Sequence, residues 1–231
     1  MKAQRLRFRY GLAAEACNLS QRELVTAWRD ACAAAGLNVA RSEGKRPSMM
    51  LSIAAPLPQG VTSTCELIDI FLADAVAARD ASARIAPHLP TGIELLSVDE
   101  VGIHAPSVQS QVRYAEYEVR AEGIDSAAVR QAICAMLEAR NMPSEYRREK
   151  KIREYDMRAL IIDLKLLADS EGCAVVVMRL RAEPERTARA DLVASALNLP
   201  DDRQIQRTQL VLEEVPSVLS AYRRIGERDE D

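Results

Sequence analysis

Histidine is almost missing from this chain. His88 and His104 are the whole complement, and both sit beside prolines, in His88-Leu89-Pro90 and His104-Ala105-Pro106, where loops with surface or turn roles are expected. Nucleophile–histidine pairing therefore has little to work with. Cys17, Cys32, Cys65, Cys134 and Cys173 are scattered singly, so no CxxC or three-cysteine cluster can hold zinc or an iron–sulfur centre in the usual spacing. An odd number of cysteines without a secretion signal reads as reduced, buried thiols. Aromatic residues are 4% of the chain, and no RNA-recognition-motif signature or phosphate-cradling glycine loop occurs. Met1-Lys2-Ala3-Gln4-Arg5 runs straight into an alternating segment, and no window approaches the roughly 20 apolar residues of a membrane span. A cytoplasmic protein with no membrane partner is expected. Positive charge is not in surplus either: the net charge is -3 and the pI about 5.6, so no DNA specificity is expected and any anion-binding surface must be local.

What is present is enough for one generous core or two small ones: 231 residues, 48% hydrophobic and 28% charged. Arg5-Leu6-Arg7-Phe8-Arg9-Tyr10 alternates strictly, which predicts a half-buried strand with Leu6, Phe8 and Tyr10 inward and three arginines outward. Ser20 and Glu23 form a capping-box pattern ahead of Leu24, Trp28, Ala31, Cys32 and Ala35 at helical spacing. Extended runs follow around Asn38 to Arg41 and Met49 to Ala54, then a strand from Glu66 to Leu72, an alanine-rich helix from about Ala73 to Ala86, and a strand from Gly92 to Val101.

The second half repeats the order. Val112 to Glu122 reads as a strand and Ser126 to Arg140 as a helix capped near Asp125. Arg153 to Leu167 and Cys173 to Glu183 read as a long hairpin turning at Ser170-Glu171-Gly172, before a helix from Thr187 to Leu197 and a strand from Ile205 to Glu213. The expected fold class is α+β: two tandem ferredoxin-like (β-α-β-β-α-β) units with antiparallel sheets. The expected division is an N-terminal unit at 1–104, a C-terminal unit at 105–222 and a charged tail at 223–231, with the boundary near Ile103 to Gln109.

Two stretches stand out from generic core. Ala55-Pro56-Leu57-Pro58-Gln59-Gly60-Val61-Thr62-Ser63 is stiff, and Tyr146-Arg147-Arg148-Glu149-Lys150-Lys151-Ile152-Arg153-Glu154-Tyr155-Asp156-Met157-Arg158 is basic. With Glu66 to Leu72, Ala105-Pro106-Ser107, Tyr117-Glu118-Val119 and Arg207-Thr208, they resemble an uncharacterised radical-SAM-linked family, a domain found fused to, or encoded beside, cobalamin-binding radical S-adenosylmethionine (SAM) proteins. The resemblance implies a radical SAM protein as partner, and the family's placement beside ribonuclease G and ribosomal protein genes implies RNA or a ribosome-associated protein as another. No cofactor is expected, and the missing cysteine cluster means that this chain is not itself the radical SAM enzyme. Family members commonly carry a glycine–aromatic–asparagine–proline–histidine–proline stretch where this chain has Gly44-Lys45-Arg46-Pro47-Ser48. Chemistry by that histidine is therefore closed to this protein.

The candidate RNA- or anion-binding residues are the basic ones: Arg5, Arg7 and Arg9 on one strand face; Lys45 and Arg46 in a basic connection; Arg147, Arg148, Lys150, Lys151 and Arg153 in one short stretch; and Arg179 and Arg181 on another strand. Glu116, Glu118, Glu149 and Glu154 are the candidates for neutralising them across strands. Asp156 and Arg158, two apart, are expected on one strand face, either as an ion pair or as a guanidinium held ready for an oxyanion. Pro56, Pro58 and Gly60 read as a rigid turn or a partner-docking loop. Two function classes stay open. One is a non-catalytic adaptor binding RNA or a partner, associated with a radical SAM enzyme in RNA modification or ribosome-related processes. The other is an enzyme or binding protein for a small phosphorylated or carboxylated substrate, with Arg158 as anion clamp and Asp156 or Glu66 as acid or base.

Overall fold

The computed structural model describes residues 2–148, 151–170 and 173–213. The strand predicted at the N-terminus is β1 (Gln4–Leu12), whose Leu6, Phe8 and Tyr10 are fully buried under α1 (Gln21–Ala34). Helix α1 starts at the expected capping box, with the Ser20 side chain accepting from the Glu23 amide and the Glu23 carboxylate accepting from the Ser20 amide. Its Leu24, Trp28, Ala31 and Cys32 face inward, and Trp28 meets Phe8 and Tyr10 edge-on at ring-centroid distances of 5.6 and 5.1 Å. The first half continues through β2 (Leu51–Ile53), β3 (Thr62–Leu72), α2 (Ala78–Ile85) and β4 (Ile93–Glu100).

The second half contains α3 (Val108–Gln111), β5 (Val112–Glu122), α4 (Ser126–Glu138), β6 (Pro143–Arg148), β7 (Lys151–Asp156), β8 (Ile161–Ser170), β9 (Cys173–Glu183), β10 (Arg186–Thr187), α5 (Ala190–Ala196) and β11 (Gln204–Leu212). Asp125 caps α4 by accepting from the Ala127 and Ala128 amides at 2.9 and 3.3 Å, and Val129, Ile133 and Met136 turn into the core.

The architecture is mixed α+β on a mostly antiparallel sheet. Its main path runs β10-β9-β5-β11-β3-β1-β4, with β8 also on β9 and β2 also on β3. All pairings in it are antiparallel except β11 with β3, where Gln206 lies opposite Thr62 and Arg207 opposite Ser63. That short parallel seam joins the halves. Strand β3 is consequently buried on both faces. Ile68, Ile70 and Leu72 pack in the first-half core with Trp28, whereas Cys65 and Leu67 pack in the second-half core with Val119, Met178 and Leu180.

Three elements differ from expectation for local reasons. The alanine-rich helix begins at Ala78 because the Ala73 amide is held by the Asn38 carbonyl and the Val76 amide by the Gln4 side chain, which keeps the entry non-helical. Thr187 pairs with Ala182 in β10, so α5 starts at Ala190. The long hairpin predicted to begin at Arg153 is two structures: β6 pairs with β7 in a separate two-stranded sheet, and β8 starts afresh at Ile161. The turn Ser170-Glu171-Gly172 falls partly, and the tail at 223–231 wholly, outside the described residues. Among the described residues no helix is long and apolar enough to cross a membrane.

Because Trp28 is fully buried against two aromatic rings, Trp28→Ala should lower the unfolding free energy by about 3–5 kcal/mol. Urea denaturation checks this, and a loss below about 1 kcal/mol would show that the site is not a packed core position.

Candidate functional site

The Pro56–Gly60 stretch, Glu66, Tyr117 and Arg207 meet at the seam between β11 and β3. Arg207, 1% exposed, donates to the Pro56 carbonyl at 2.8 Å and more loosely to the Ala55 carbonyl at 3.4 Å, and lies 3.3 Å from the Glu66 carboxylate. Its guanidinium sits 5.6 Å from the centroid of the Tyr117 ring. Glu66 also accepts from the Ser63 hydroxyl at 2.6 Å. Burial by itself would depress the Arg207 pKa, but Glu66 and Tyr117 raise it on balance, so the guanidinium stays charged. Burial pushes Tyr10 and Tyr117 above the ordinary phenol value, and pushes the Cys65 thiol up to about 11 and the Cys32 thiol up to about 12. These thiols are protonated at neutral pH and poorly suited to nucleophilic work. The expectation of burial fails for Cys134, which is exposed on α4.

The Pro56–Gly60 loop closes over this cluster. Gly60 takes a positive φ of 81° and donates its amide to the Cys17 carbonyl, while the Gln59 side chain donates to the Asn18 carbonyl at 2.8 Å. Beneath it, Pro56, Leu57, Pro58 and Glu66 help line a cavity of about 20 Å³, room for one water. Glu66 is 2% exposed and its carboxylate is engaged by Ser63 and Arg207, so it serves the joint between these segments.

A second buried tie lies on the opposite face of β1. Arg5, expected outward, is 2% exposed; it pairs with the fully buried Asp69 and donates to the Pro106 carbonyl at 2.8 Å and the Ala105 carbonyl at 2.6 Å. Arg7 donates to Asp69 at 2.8 Å and to Gln111 at 3.3 Å. Alternation assigns these arginines to one face correctly, but residues 105–111 cover that face, so Arg5 and Arg7 form no exposed stripe. Arg9 is exposed. Asp69 was missed, although an acid inside the apolar run Leu67-Ile68-Asp69-Ile70 is itself a signal of a buried cationic partner.

The remaining candidates divide. Asp156 and Arg158 do not share a strand face. Asp156 ends β7 and its carboxylate accepts from the Met142 and Arg158 amides at 2.7 and 3.0 Å, while the Arg158 side chain donates to the Leu137 and Ile161 carbonyls. Both are committed to holding the turn into β8. Arg179 pairs with Glu116 at 2.6 Å across β9 and β5, a cross-strand neutralisation of the expected kind, whereas Arg181 pairs with Glu183 of its own strand at 3.1 Å. Lys45 and Arg46 are exposed in the loop closed by Ser42 and Ser48. Arg147 and Arg148 lie in β6 and Lys151 and Arg153 in β7; Lys150 lies outside the described residues. Pro56 and Gly60 are exposed and Pro58 half-buried, with the loop's polar backbone already tied to its own chain.

A family model described as an uncharacterized protein conserved in bacteria, DUF2344, matches residues 5–190. The chain belongs to that family. The DUF2344 description makes no reference to radical SAM proteins. No curated protein matches the chain. Among solved structures, a chain of a Cbf5-Nop10-Gar1 complex superposes with a TM-score of 0.44 at 12% identity, over 97% of this chain and 57% of that one. A chain of the archaeal box H/ACA sRNP Nop10-Cbf5 complex gives 0.40 at 11% identity, over 96% and 56%. The acetolactate synthase small subunit from Thermotoga maritima gives 0.28 at 12% identity, over 94% and 99%. This DUF2344 chain thus spans little more than half the length of the Cbf5-complex chains, and superpositions this loose carry no argument about function.

Truncating one partner of a buried charge pair strands the other. Asp69→Ala is therefore expected to destabilise the protein by about 3–5 kcal/mol, against no more than about 0.5 kcal/mol for Glu94→Ala on the exposed side of β4. Equal midpoints in chemical denaturation would contradict the assignment of Asp69 as a tie.

Proposed function

We propose that this DUF2344 chain is a non-catalytic RNA-binding adaptor, built as two tandem ferredoxin-like units spanning 1–104 and 105–222, that contacts RNA through the β6–β7 ribbon. The strand order supports the two-unit reading: each half runs β-α-β-β-α-β, in the order β2-β3-β1-β4 in the first and β8-β9-β5-β11 in the second, with β6, β7, α3 and β10 as additions.

The register of the ribbon carries the functional reading. Tyr146 pairs with Arg153, Arg148 with Lys151 and Ser144 with Tyr155, so these positions share one face; Glu145 pairs with Glu154 and Arg147 with Ile152 on the other. Tyr155 packs against the core at the base. Further out, one face therefore gathers three cationic positions and a tyrosine, while both acidic positions fall on the reverse. Among the described strands, β6 and β7 pair only with each other. A narrow ribbon with these positions in register suits phosphate contacts along a structured RNA. The acidic remainder of the chain makes the attraction local. Association with a radical SAM protein rests on the sequence resemblance alone, and the ribbon reading does not require it. The competing small-anion site at Asp156 and Arg158 loses ground because their polar atoms are engaged by the backbone.

The triple change Arg148→Glu, Lys151→Glu, Arg153→Glu should weaken binding to structured RNA by roughly tenfold or more and flatten the log–log salt dependence by about 1 for each phosphate contact removed. The melting temperature should not move. Unchanged affinity and slope in a salt-series titration would overturn the proposal.

A further inference from the structure

In the first half, a cleft of about 720 Å³, which shares no lining residue with the ribbon, opens between the N-terminus, the segment 41–43 and the turn after β4. Its lining is Lys2, Ala3, Arg41, Ser42, Glu43, Met50, Ile103 and His104. The volume falls within the range of small-molecule sites.

The walls are fixed from below. The Met50 amide donates to the Ala40 carbonyl and the Phe71 amide to the Met50 carbonyl, which seats the floor on β3. The Gly102–Ala105 turn that presents Ile103 and His104 is held by the buried Arg5 through the Ala105 carbonyl. Lys2 and Arg5 both contact the Phe71 ring, at 4.7 and 5.3 Å from its centroid. Ser42 and Ser48 close the neighbouring loop, which carries the exposed Lys45 and Arg46.

Among the described residues, Lys2, Arg41 and His104 have no carboxylate partner; other exposed cations such as Arg9 and Arg46 share that property, and what marks this place is that three such groups line one cleft. Glu43 is the single acid in the lining, while Met50 and Ile103 supply apolar surface. A carboxylate can bridge two cations, as Asp69 does for Arg5 and Arg7, but it brings one charge and two oxygens to a cleft with three donors. A phosphate monoester can engage a guanidinium fork and an ammonium together, and its organic group would meet the apolar wall.

We propose that this cleft binds a terminal phosphate monoester attached to a nucleoside, with Arg41 and Lys2 on the phosphate, His104 as a further donor and Met50 and Ile103 against the nucleoside. The phosphate comes either from a free mononucleotide or from the 5′ end of an RNA. The site is independent of the β6–β7 ribbon.

Calorimetric titration of the full chain with AMP, with adenosine, and with a short oligoribonucleotide bearing either a 5′-phosphate or a 5′-hydroxyl tests it. AMP should bind saturably and adenosine should not. Arg41→Gln should weaken AMP binding roughly tenfold, the scale of one charge-assisted hydrogen bond, with no change in melting temperature because Arg41 is exposed. The ribbon triple variant should bind AMP normally, which separates failure of this site from failure of the ribbon. Preference for the 5′-phosphorylated oligonucleotide would assign the RNA end as source; AMP binding without that preference would assign a free nucleotide. No saturable AMP binding at low salt, or equal affinity in Arg41→Gln, overturns the proposal.

Discussion

The burial of Arg207 at the parallel seam between β11 and β3 is the constraint on which the rest of the structure depends. Only Gln206 and Arg207 pair with Thr62 and Ser63, too short a parallel contact to join two halves through backbone hydrogen bonds alone. The guanidinium extends the joint. It binds the carbonyls of the Pro loop, faces Glu66 and lies against Tyr117, so one side chain touches three separate segments of the chain. A charge in such a place is tolerated only because it is paired and its donors are nearly all used; its Nε has no partner among the described residues. The Arg5–Asp69 pair does the same on the other face by fixing the 105–106 carbonyls, which sets where the second half begins.

The Pro loop, the acid-bearing β3, the Ala105-Pro106-Ser107 segment, Tyr117 and Arg207 are far apart in the chain, yet they complete one another's hydrogen bonds. The Asp156–Arg158 segment works locally in the same manner, with a carboxylate and a guanidinium satisfying backbone groups at a turn. Arg5, Arg7 and Arg158, three of the arginines that invite a nucleic-acid reading, are therefore internal ties. The proposed ribbon contact and the proposed cleft beside Arg41 draw on residues outside these ties.

Local patterns were legible where one element's own residues decide the outcome. The alternation of β1, the capping box of α1, the Asp125 cap of α4 and the limits of β5 at Val112 and Glu122 all follow from neighbours within a turn or two. The pattern cannot say what covers a strand's second face. Arg5 reads as solvated until residues 105–106, a hundred positions away, fold over it. The break between β7 and β8 was hidden because a charged hairpin and a charged long strand have the same period, and only the Asp156 contacts with the Met142 and Arg158 amides distinguish them. The Arg41 cleft was invisible for a similar reason, since Lys2, Arg41 and His104 are brought together only by the first-half fold.

Buried ion pairs and a shared β3 should make the two halves one cooperative body. Equilibrium urea unfolding tests this when followed in parallel by the fluorescence of Trp28, the single tryptophan and a reporter of the first-half core, and by far-ultraviolet circular dichroism of the whole chain. Coincident single transitions are expected. A Trp28 transition separated from the bulk signal, with a plateau between, would mean that the halves unfold independently and that Arg207 and Arg5 do not join them.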